Sequence, residues 1–124
     1  MKKILIFIVI IICHGLITVV ANNNEPYSYM DVDSIPKFTF NQMTAIDYIE
    51  NRLIKPDSLK QSGYALISIV INKNGDVVNP IIRGNVLNVI QEQLIFILKT
   101  MPKWKPGKYN NMEVDVRLYF KITF

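Results

Sequence analysis

The sequence predicts an α+β domain in which a three-stranded antiparallel sheet carries two helices on one face, in the order helix, strand, strand, helix, strand. Two apolar stripes with spacings of three and four residues predict the helices, and three segments with strand patterns predict the sheet. Two amphipathic helices can cover only one face of so small a sheet. This limit explains why the last predicted strand is apolar on one side alone.

The first helix is predicted between Asn41 and Pro56. Asn41 belongs to the residue types that cap helix N-termini, and Pro56 ends the helix because the residue before a proline disfavours the helical conformation. Apolar residues recur every three or four positions, at Met43, Ile46, Ile49 and Leu53.

A β-hairpin is predicted next. Its first strand runs from Tyr64 to Asn72, and one side of that strand holds Ala65, Ile67, Ile69 and Ile71. Asn74-Gly75 would supply the positive φ angles of a tight turn. The second strand runs from Asp76 to Arg83 and Gly84 closes it, while Pro80 implies that this strand is exposed at that point.

The second helix is predicted from Asn88 to Thr100. Asn88 and Gln91 have the spacing of a capping box, and Pro102 follows the C-terminal end. The apolar stripe consists of Leu87, Ile90, Leu94, Ile97, Leu98 and Met101.

The last thirteen residues predict one long strand. One side holds Met112, Val114, Val116, Leu118, Phe120, Ile122 and Phe124. The other side holds Glu113, Asp115, Arg117, Tyr119, Lys121 and Thr123. This alternation predicts a half-buried strand that would be about 40 Å long. Such a strand must lie inside a sheet or present an edge, and truncation of Phe120 is expected to destabilise the domain.

The first 21 residues predict a secretory signal peptide. Lys2 and Lys3 precede the apolar run of residues 4–12, and small residues lead up to Ala21. The alternative is an uncleaved membrane anchor. We therefore expect an exported protein in the periplasm, or one anchored in the inner membrane and facing the periplasm. Residues 22–34 are predicted to be a flexible tether, and residues 35–124 a single domain.

The chemistry of the mature chain argues against an enzyme. Cys13 and His14 are the only cysteine and histidine, and both lie in the predicted signal. Without them, a cysteine nucleophile, a histidine base and the usual zinc ligands are missing. The carboxylate pairs Asp31/Asp33 and Glu113/Asp115 are predicted to be solvated surface. We expect no catalytic, cofactor-binding or metal-binding residues, and no small-molecule substrate.

Several segments resemble the C-terminal domain of TonB-type energy transducers, in the divergent version common in the Bacteroidetes group. The resemblance covers residues 35–124 and is carried by Pro36-Lys37-Phe38, Ile54-Lys55-Pro56, residues 63–71, Asn74-Gly75 and residues 101–108. The order of these segments and the Pro-x-Trp-x-Pro-Gly loop before a terminal strand are its most specific features. The resemblance implies the fold of TonB and TolA C-terminal domains, with the terminal strand at an edge of the sheet.

The resemblance also implies a function. Family members bind an extended peptide, the TonB box, of TonB-dependent outer-membrane transporters and relay energy from inner-membrane motor proteins. An edge strand suits this task because its unpaired N–H and C=O groups can bind an added strand. The implied peptide-binding residues are Glu113, Val114, Asp115, Val116, Arg117, Leu118, Tyr119, Phe120 and Lys121. Relatives often have a proline where Lys121 stands, and here that amide can donate. The alternatives are that the strand pairs with itself in a homodimer or ends at water.

The loop around Trp104 allows two interpretations. Lys103, Trp104, Lys105 and Lys108 could form a surface patch for an anionic partner such as lipid headgroups. The favoured interpretation is that Trp104 packs on the core while its lysines stay solvated. Nucleic acid is not expected as a partner, since an exported protein seldom meets it.

The chain also departs from full transducers. Their membrane helix has a functional histidine preceded four residues earlier by serine, whereas His14 here is preceded at that spacing by Ile10. A long proline-rich spacer is lacking, and Asn111 stands where a glycine is common. The alternative function is therefore a cell-envelope structural or adaptor protein that uses the same fold, as a homodimer for example, without energy transduction.

Overall fold

The computed structural model describes residues 25–57 and 63–124, and these residues form an α+β fold. The described part contains two helices, a mixed four-stranded sheet and a separate two-stranded antiparallel sheet. The α+β class is thus confirmed, while the sheets are more elaborate than the predicted three-stranded one. The predicted signal peptide, residues 1–21, lies outside the described residues.

Helix α1 spans Ala45–Arg52, and its N-cap is not the predicted residue. Thr44, not Asn41, is the N-cap. The Thr44 hydroxyl accepts a hydrogen bond from the Asp47 amide at 3.1 Å, and the Asp47 carboxylate accepts one from the Thr44 amide at 3.4 Å. Asn41 lies in a preceding 3-10 turn, Phe40–Gln42, with φ of 49°, and so lacks the extended backbone of an N-cap.

Helix α2 spans Asn88–Lys99, close to the predicted range. The predicted capping box of Asn88 and Gln91 is not formed. Leu87 occupies the N-cap position, and no side chain caps the first turn. Asn88 is already inside the helix, so its side chain is one position too late to act as the N-cap.

The main sheet has the strand order β1-β6-β2-β3. Its members are β1 (Tyr27–Ser28), β2 (Tyr64–Ile71), β3 (Val77–Arg83) and β6 (Val116–Thr123). Strand β2 pairs antiparallel with both β3 and β6, which gives the three antiparallel strands predicted from the sequence. Strand β1 is an addition: it pairs in parallel with β6 through Tyr27 opposite Val116 and Ser28 opposite Arg117.

The turn between β2 and β3 is tight, as predicted, but it needs positive φ at only one of the two expected residues. Gly75 has φ of +86°, whereas Asn74 does not have a positive φ. The Gly75 amide donates to the Asn72 carbonyl at 2.9 Å, and the Asn72 amide donates to the Asp76 carbonyl at 3.0 Å. A turn followed by a left-handed glycine is a common hairpin connection.

The predicted continuous strand from Met112 to Phe124 is broken at Asp115, so that prediction is wrong. The first piece, β5 (Met112–Val114), forms a two-stranded sheet with β4 (Gly107–Tyr109). Asn110 and Asn111 connect them with φ of 50° and 63°, as a two-residue hairpin turn requires. At the break, the Asp115 carboxylate accepts a hydrogen bond from the Lys73 amide at 2.7 Å.

The core lies between the two helices and one face of the main sheet. Alternate residues of β2 face it, and all four of them are buried: Ala65, Ile67, Ile69 and Ile71. The helices contribute Tyr48 and Ile49 from α1 and Ile90, Leu94, Ile97 and Leu98 from α2. Both helices therefore cover the same face, as predicted. From β6, Val116 and Ile122 are buried, whereas Phe120 is only half-buried and Met112 of β5 is 70% exposed.

Residues 25–34, the described part of the segment predicted as a tether, make specific contacts with the domain. The Asp33 amide donates to the Lys108 carbonyl at 2.9 Å, and the Asp33 carboxylate accepts from the Asn110 amide at 2.7 Å. Tyr27 stacks on Tyr109 with ring centroids 5.0 Å apart. This part of the segment therefore lies along β6 and the β4–β5 hairpin. The boundary at residue 35 stays a prediction.

Candidate functional site

The hydrogen-bond register shows which backbone groups of β6 point away from β2. Gly63 and Phe124 exchange both backbone hydrogen bonds, at 2.8 and 3.0 Å. In an antiparallel pair, bonded and non-bonded positions alternate. Positions 118, 120 and 122 of β6 therefore bond β2, and the N–H and C=O groups of Tyr119, Lys121 and Thr123 point to the opposite edge.

Strand β1 covers the beginning of this edge. Its two residues pair with Val116 and Arg117, and the Tyr27 amide donates to the Asp115 carbonyl at 2.9 Å. The chain then turns away, and the Tyr29 ring meets the Tyr119 ring edge-on with centroids 6.5 Å apart. Among the described residues, residues 118–123 have no strand on this side. The resemblance implied that the whole terminal strand lies at the edge of the sheet, but residues 112–115 lie outside the main sheet and β1 covers Val116 and Arg117. We call residues 118–123 the free edge.

The other edge of the sheet is less suited to accept a strand. It belongs to β3, where Asn79 has φ of 50° and Pro80 has no amide hydrogen to donate. The β2–β3 register also shifts between Ser68 and Val70. Prolines and bulges are devices that protect sheet edges from pairing. Of the two edges, only that of β6 offers a regular row of backbone groups.

The structure distributes the predicted peptide-binding residues over four places. Glu113 and Val114 belong to β5 and pair with β4. Asp115 is the break, and Val116 and Arg117 are covered by β1. The remaining predicted residues belong to the free edge: Leu118, Tyr119, Phe120 and Lys121. The sequence pattern could not separate these groups, because the alternation keeps the same phase across Asp115.

The surface patch predicted around Trp104 is divided in the structure. Trp104 is buried at 7% exposure and contacts the Phe38 ring with centroids 5.2 Å apart, so it packs on the core as the favoured interpretation predicted. Its amide donates to the Gly75 carbonyl at 2.9 Å, which ties the loop to the β2–β3 turn. Lys103, Lys105 and Lys108 are exposed, and Lys103 forms an ion pair with Asp76.

The outer face of the main sheet, opposite the helices, holds a groove that was not predicted from the sequence. A groove of about 580 Å³ lies over β2, β3 and β6, and we call it the outer groove. Its apolar surface comes from Leu66, Ile81 and Tyr119, and its cations are Arg83, Arg117 and Lys121. Residues 64–71 could have predicted an apolar outer face, because this run has apolar side chains at outward positions such as Leu66 as well as at inward ones.

The described residues provide no evident metal site, since no group of three or more histidine, cysteine, aspartate or glutamate side chains is placed to hold an ion. Neither helix in the described part of the chain has the length and apolar character that a membrane crossing requires. Two features of residues 25–57 and 63–124 suit the binding of a ligand, the free edge and the outer groove.

Comparison with known proteins identifies no relative of the chain. No protein-family model, curated protein or solved structure matches the chain. Membership of the TonB C-terminal domain family therefore stays a prediction based on the residues quoted above.

Proposed function

We propose that the chain is a periplasmic TonB-like protein-binding module that recognises an extended peptide of TonB-dependent outer-membrane transporters by β-strand addition, in support of energy-coupled transport across the outer membrane. The observation that carries the proposal is the free edge. Three successive outward positions, Tyr119, Lys121 and Thr123, each offer a backbone donor and acceptor to an added strand.

The side chains along the free edge suit an extended ligand. Leu118 and Phe120 point to the helix side and are half-buried, so part of their apolar surface stays available to a neighbouring strand. Tyr119 and Lys121 point to the outer face. A bound peptide with apolar residues at alternate positions could therefore contact Leu118 and Phe120, while its backbone pairs with β6.

The chain itself provides a precedent for strand addition at this edge. Strand β1 pairs with β6 in parallel, using a segment that lies 89 positions away in the sequence. Because β1 pairs at only two positions, it leaves six residues for a partner, the usual length of a strand. The finer classification as a TonB- or TolA-like C-terminal domain is part of this proposal. The order of α1, β2, β3, α2 and β6 supports it.

The proposal is tested by an amide NMR titration of residues 22–124 with N-terminal peptides of the host's outer-membrane transporters. We expect chemical shift changes confined to the free edge. Lys121→Pro removes one outward N–H and adds a ring in the path of the peptide, so it should weaken binding about tenfold or more. The matched control, Lys121→Gln, removes the charge but keeps the amide and should change affinity less than about threefold.

Two results would contradict the proposal. One is the absence of shifts at millimolar peptide, and the other is equal peptide affinity of Lys121→Pro and Lys121→Gln. Since the Lys121 amide does not bond β2, the β2–β6 ladder of the proline variant should keep its native cross-peaks, which verifies that the variant is folded.

The same free edge supports the alternative function, an envelope adaptor that forms a homodimer by pairing two copies of β6. Exposed edges pair readily with a second copy of the same chain. Light scattering after size exclusion separates the two functions. A dimer that Lys121→Pro converts to a monomer indicates the adaptor, whereas a monomer that binds the transporter peptide indicates the module.

A further inference from the structure

We propose that the outer groove binds a free anionic amphiphile, namely a medium-chain carboxylate whose apolar chain lies on the sheet and whose head group meets the groove cations. This inference concerns the face of the sheet rather than its edge and does not depend on the proposed function. It rests on the apolar surface of the groove, its unpaired cations, its lack of carboxylates and its size.

The apolar surface of the outer groove is unusual for a solvent-facing sheet. Antiparallel sheets with one open face normally place polar residues on that face. Here Leu66 is 46% exposed, Ile81 42% and Tyr119 62%. Ile81 and Tyr119 lie on either side of Ser68 in one row across the sheet, and Leu66 lies in the next row. Together they give apolar surface on all three strands, interrupted at Ser68 between Ile81 and Tyr119, and we call this surface the apolar strip.

Cations border this strip on two sides. Arg83 and Lys121 are the direct neighbours of Leu66 on β3 and β6, so their backbones lie about 10 Å apart, at two strand spacings. The Arg117 guanidinium donates to the Ser68 hydroxyl at 3.2 Å, which holds it over the strip. Lys121 lies over the Tyr64 ring, with its amine 4.9 Å from the ring centroid.

These three cations have no anionic partner in the described part of the chain. The ion pair found there joins Lys103 to Asp76 and involves none of them. The pairing register shows that the outward positions of β2, β3 and β6 carry no aspartate or glutamate. A groove with charges of one sign raises the local concentration of ligands of the opposite sign.

The size of the outer groove suits a small amphiphile. Its volume of about 580 Å³ falls within the range of small-ligand sites, roughly 300–1,000 Å³. A small inorganic anion would leave the apolar strip in contact with water. An apolar chain with one carboxylate uses both the strip and the cations.

The test uses decanoate below its micelle concentration, with decanol and decyltrimethylammonium as analogues of the same chain length. Amide NMR titration of the purified protein should show saturable decanoate binding with shifts at Leu66, Ile81 and Tyr119. Decanol should bind at least about fivefold more weakly, because it lacks the charge that the cations attract. Decyltrimethylammonium should not bind in the outer groove.

Arg83→Gln should weaken decanoate binding about three- to tenfold without changing that of decanol. The matched control is Lys99→Gln, which removes a cation from α2 on the opposite layer and should leave decanoate binding unchanged. The proposal is overturned if decanoate causes no shifts in the outer groove, if decanol binds as well as decanoate, or if Arg83→Gln has no effect. Binding to phosphatidylglycerol vesicles without binding of free decanoate would also overturn it, in favour of a membrane surface.

The two proposals fail independently. Arg83 lies on β3, two strands away from the free edge, so Arg83→Gln should not change the affinity for a transporter peptide. A protein that binds decanoate but no peptide would contradict the proposed function alone, and the reverse result would contradict the outer groove alone.

Discussion

Single residues decide how the loops of this domain attach to its core, and Gly75 is the clearest case. Its φ of +86° is open to glycine but strained for other residues, and a Cβ atom there would meet the Trp104 carbonyl oxygen. The Gly75 carbonyl also accepts the hydrogen bond from the Trp104 amide. One glycine thus allows both the hairpin turn and the close approach of the tryptophan loop.

We expect Gly75→Ala to lower the free energy of unfolding by about 2–3 kcal/mol, because it combines backbone strain with a clash against backbone atoms. Urea denaturation followed by Trp104 fluorescence measures this change, and the same signal reports the environment of the loop. Asn74→Ala is the control, since Asn74 is exposed and has no positive φ. Equal midpoints for the two variants would show that the turn tolerates a Cβ atom.

The two helices differ in their N-caps, since a side chain caps α1 and none caps α2. Thr44→Ala should lower the free energy of unfolding by about 1 kcal/mol, because it removes the hydroxyl that accepts the Asp47 amide hydrogen bond. Asn88→Ala should change it by less than about 0.5 kcal/mol, because no side chain caps α2. Thermal or urea unfolding of the two variants compares the caps directly. A larger effect of Asn88→Ala would support the cap inferred from sequence over the one in the structure.

At the scale of elements, the sequence predicted those elements whose pattern is local. The alternation of residues 64–71, the Asn74-Gly75 turn and the stripe of α2 each lie within a short window. The structure confirms the alternation, the tight turn with positive φ at Gly75 alone, and the burial of Ile90, Leu94, Ile97 and Leu98, whereas Leu87 of the predicted stripe is exposed. The β4–β5 hairpin was missed because its turn is Asn110-Asn111 rather than a glycine-containing pair. Asparagine also tolerates positive φ, but it is a weaker turn signal than glycine.

Other features could not be predicted, because contacts between residues far apart in the sequence determine them. The break at Asp115 depends on its hydrogen bonds with Lys73 and Tyr27, while Val114 and Val116 keep the phase of one continuous strand. The pairing of β1 with β6 joins two segments 89 positions apart. Consequently the resemblance implied an edge position for the last strand, but the sequence could not delimit the free edge to residues 118–123.

At the scale of the whole molecule, residues 25–34 raise the question of what belongs to the folding unit. The large buried residues of the core cluster all lie between Tyr48 and Ile122, so the core does not require this segment. Its contributions are peripheral: strand β1, the contacts of Asp33 with Lys108 and Asn110, and the stacking of Tyr27 on Tyr109. Peripheral hydrogen bonds stabilise a fold only modestly, by about 1 kcal/mol each.

We therefore expect a shortened chain that begins at Ile35 to fold, with a free energy of unfolding lower by about 2–4 kcal/mol than that of a chain beginning at residue 25. Urea denaturation of both chains measures the difference. Removal of β1 also uncovers the outward groups of Arg117, so hydrogen exchange should become faster at that amide while the amides of β2 stay protected. If the shortened chain does not fold, the domain begins before residue 35 and β1 is an essential strand. If it folds and binds a transporter peptide more tightly, β1 competes with the peptide for the edge of β6. Both β1 and the peptide then bind β6 by strand addition.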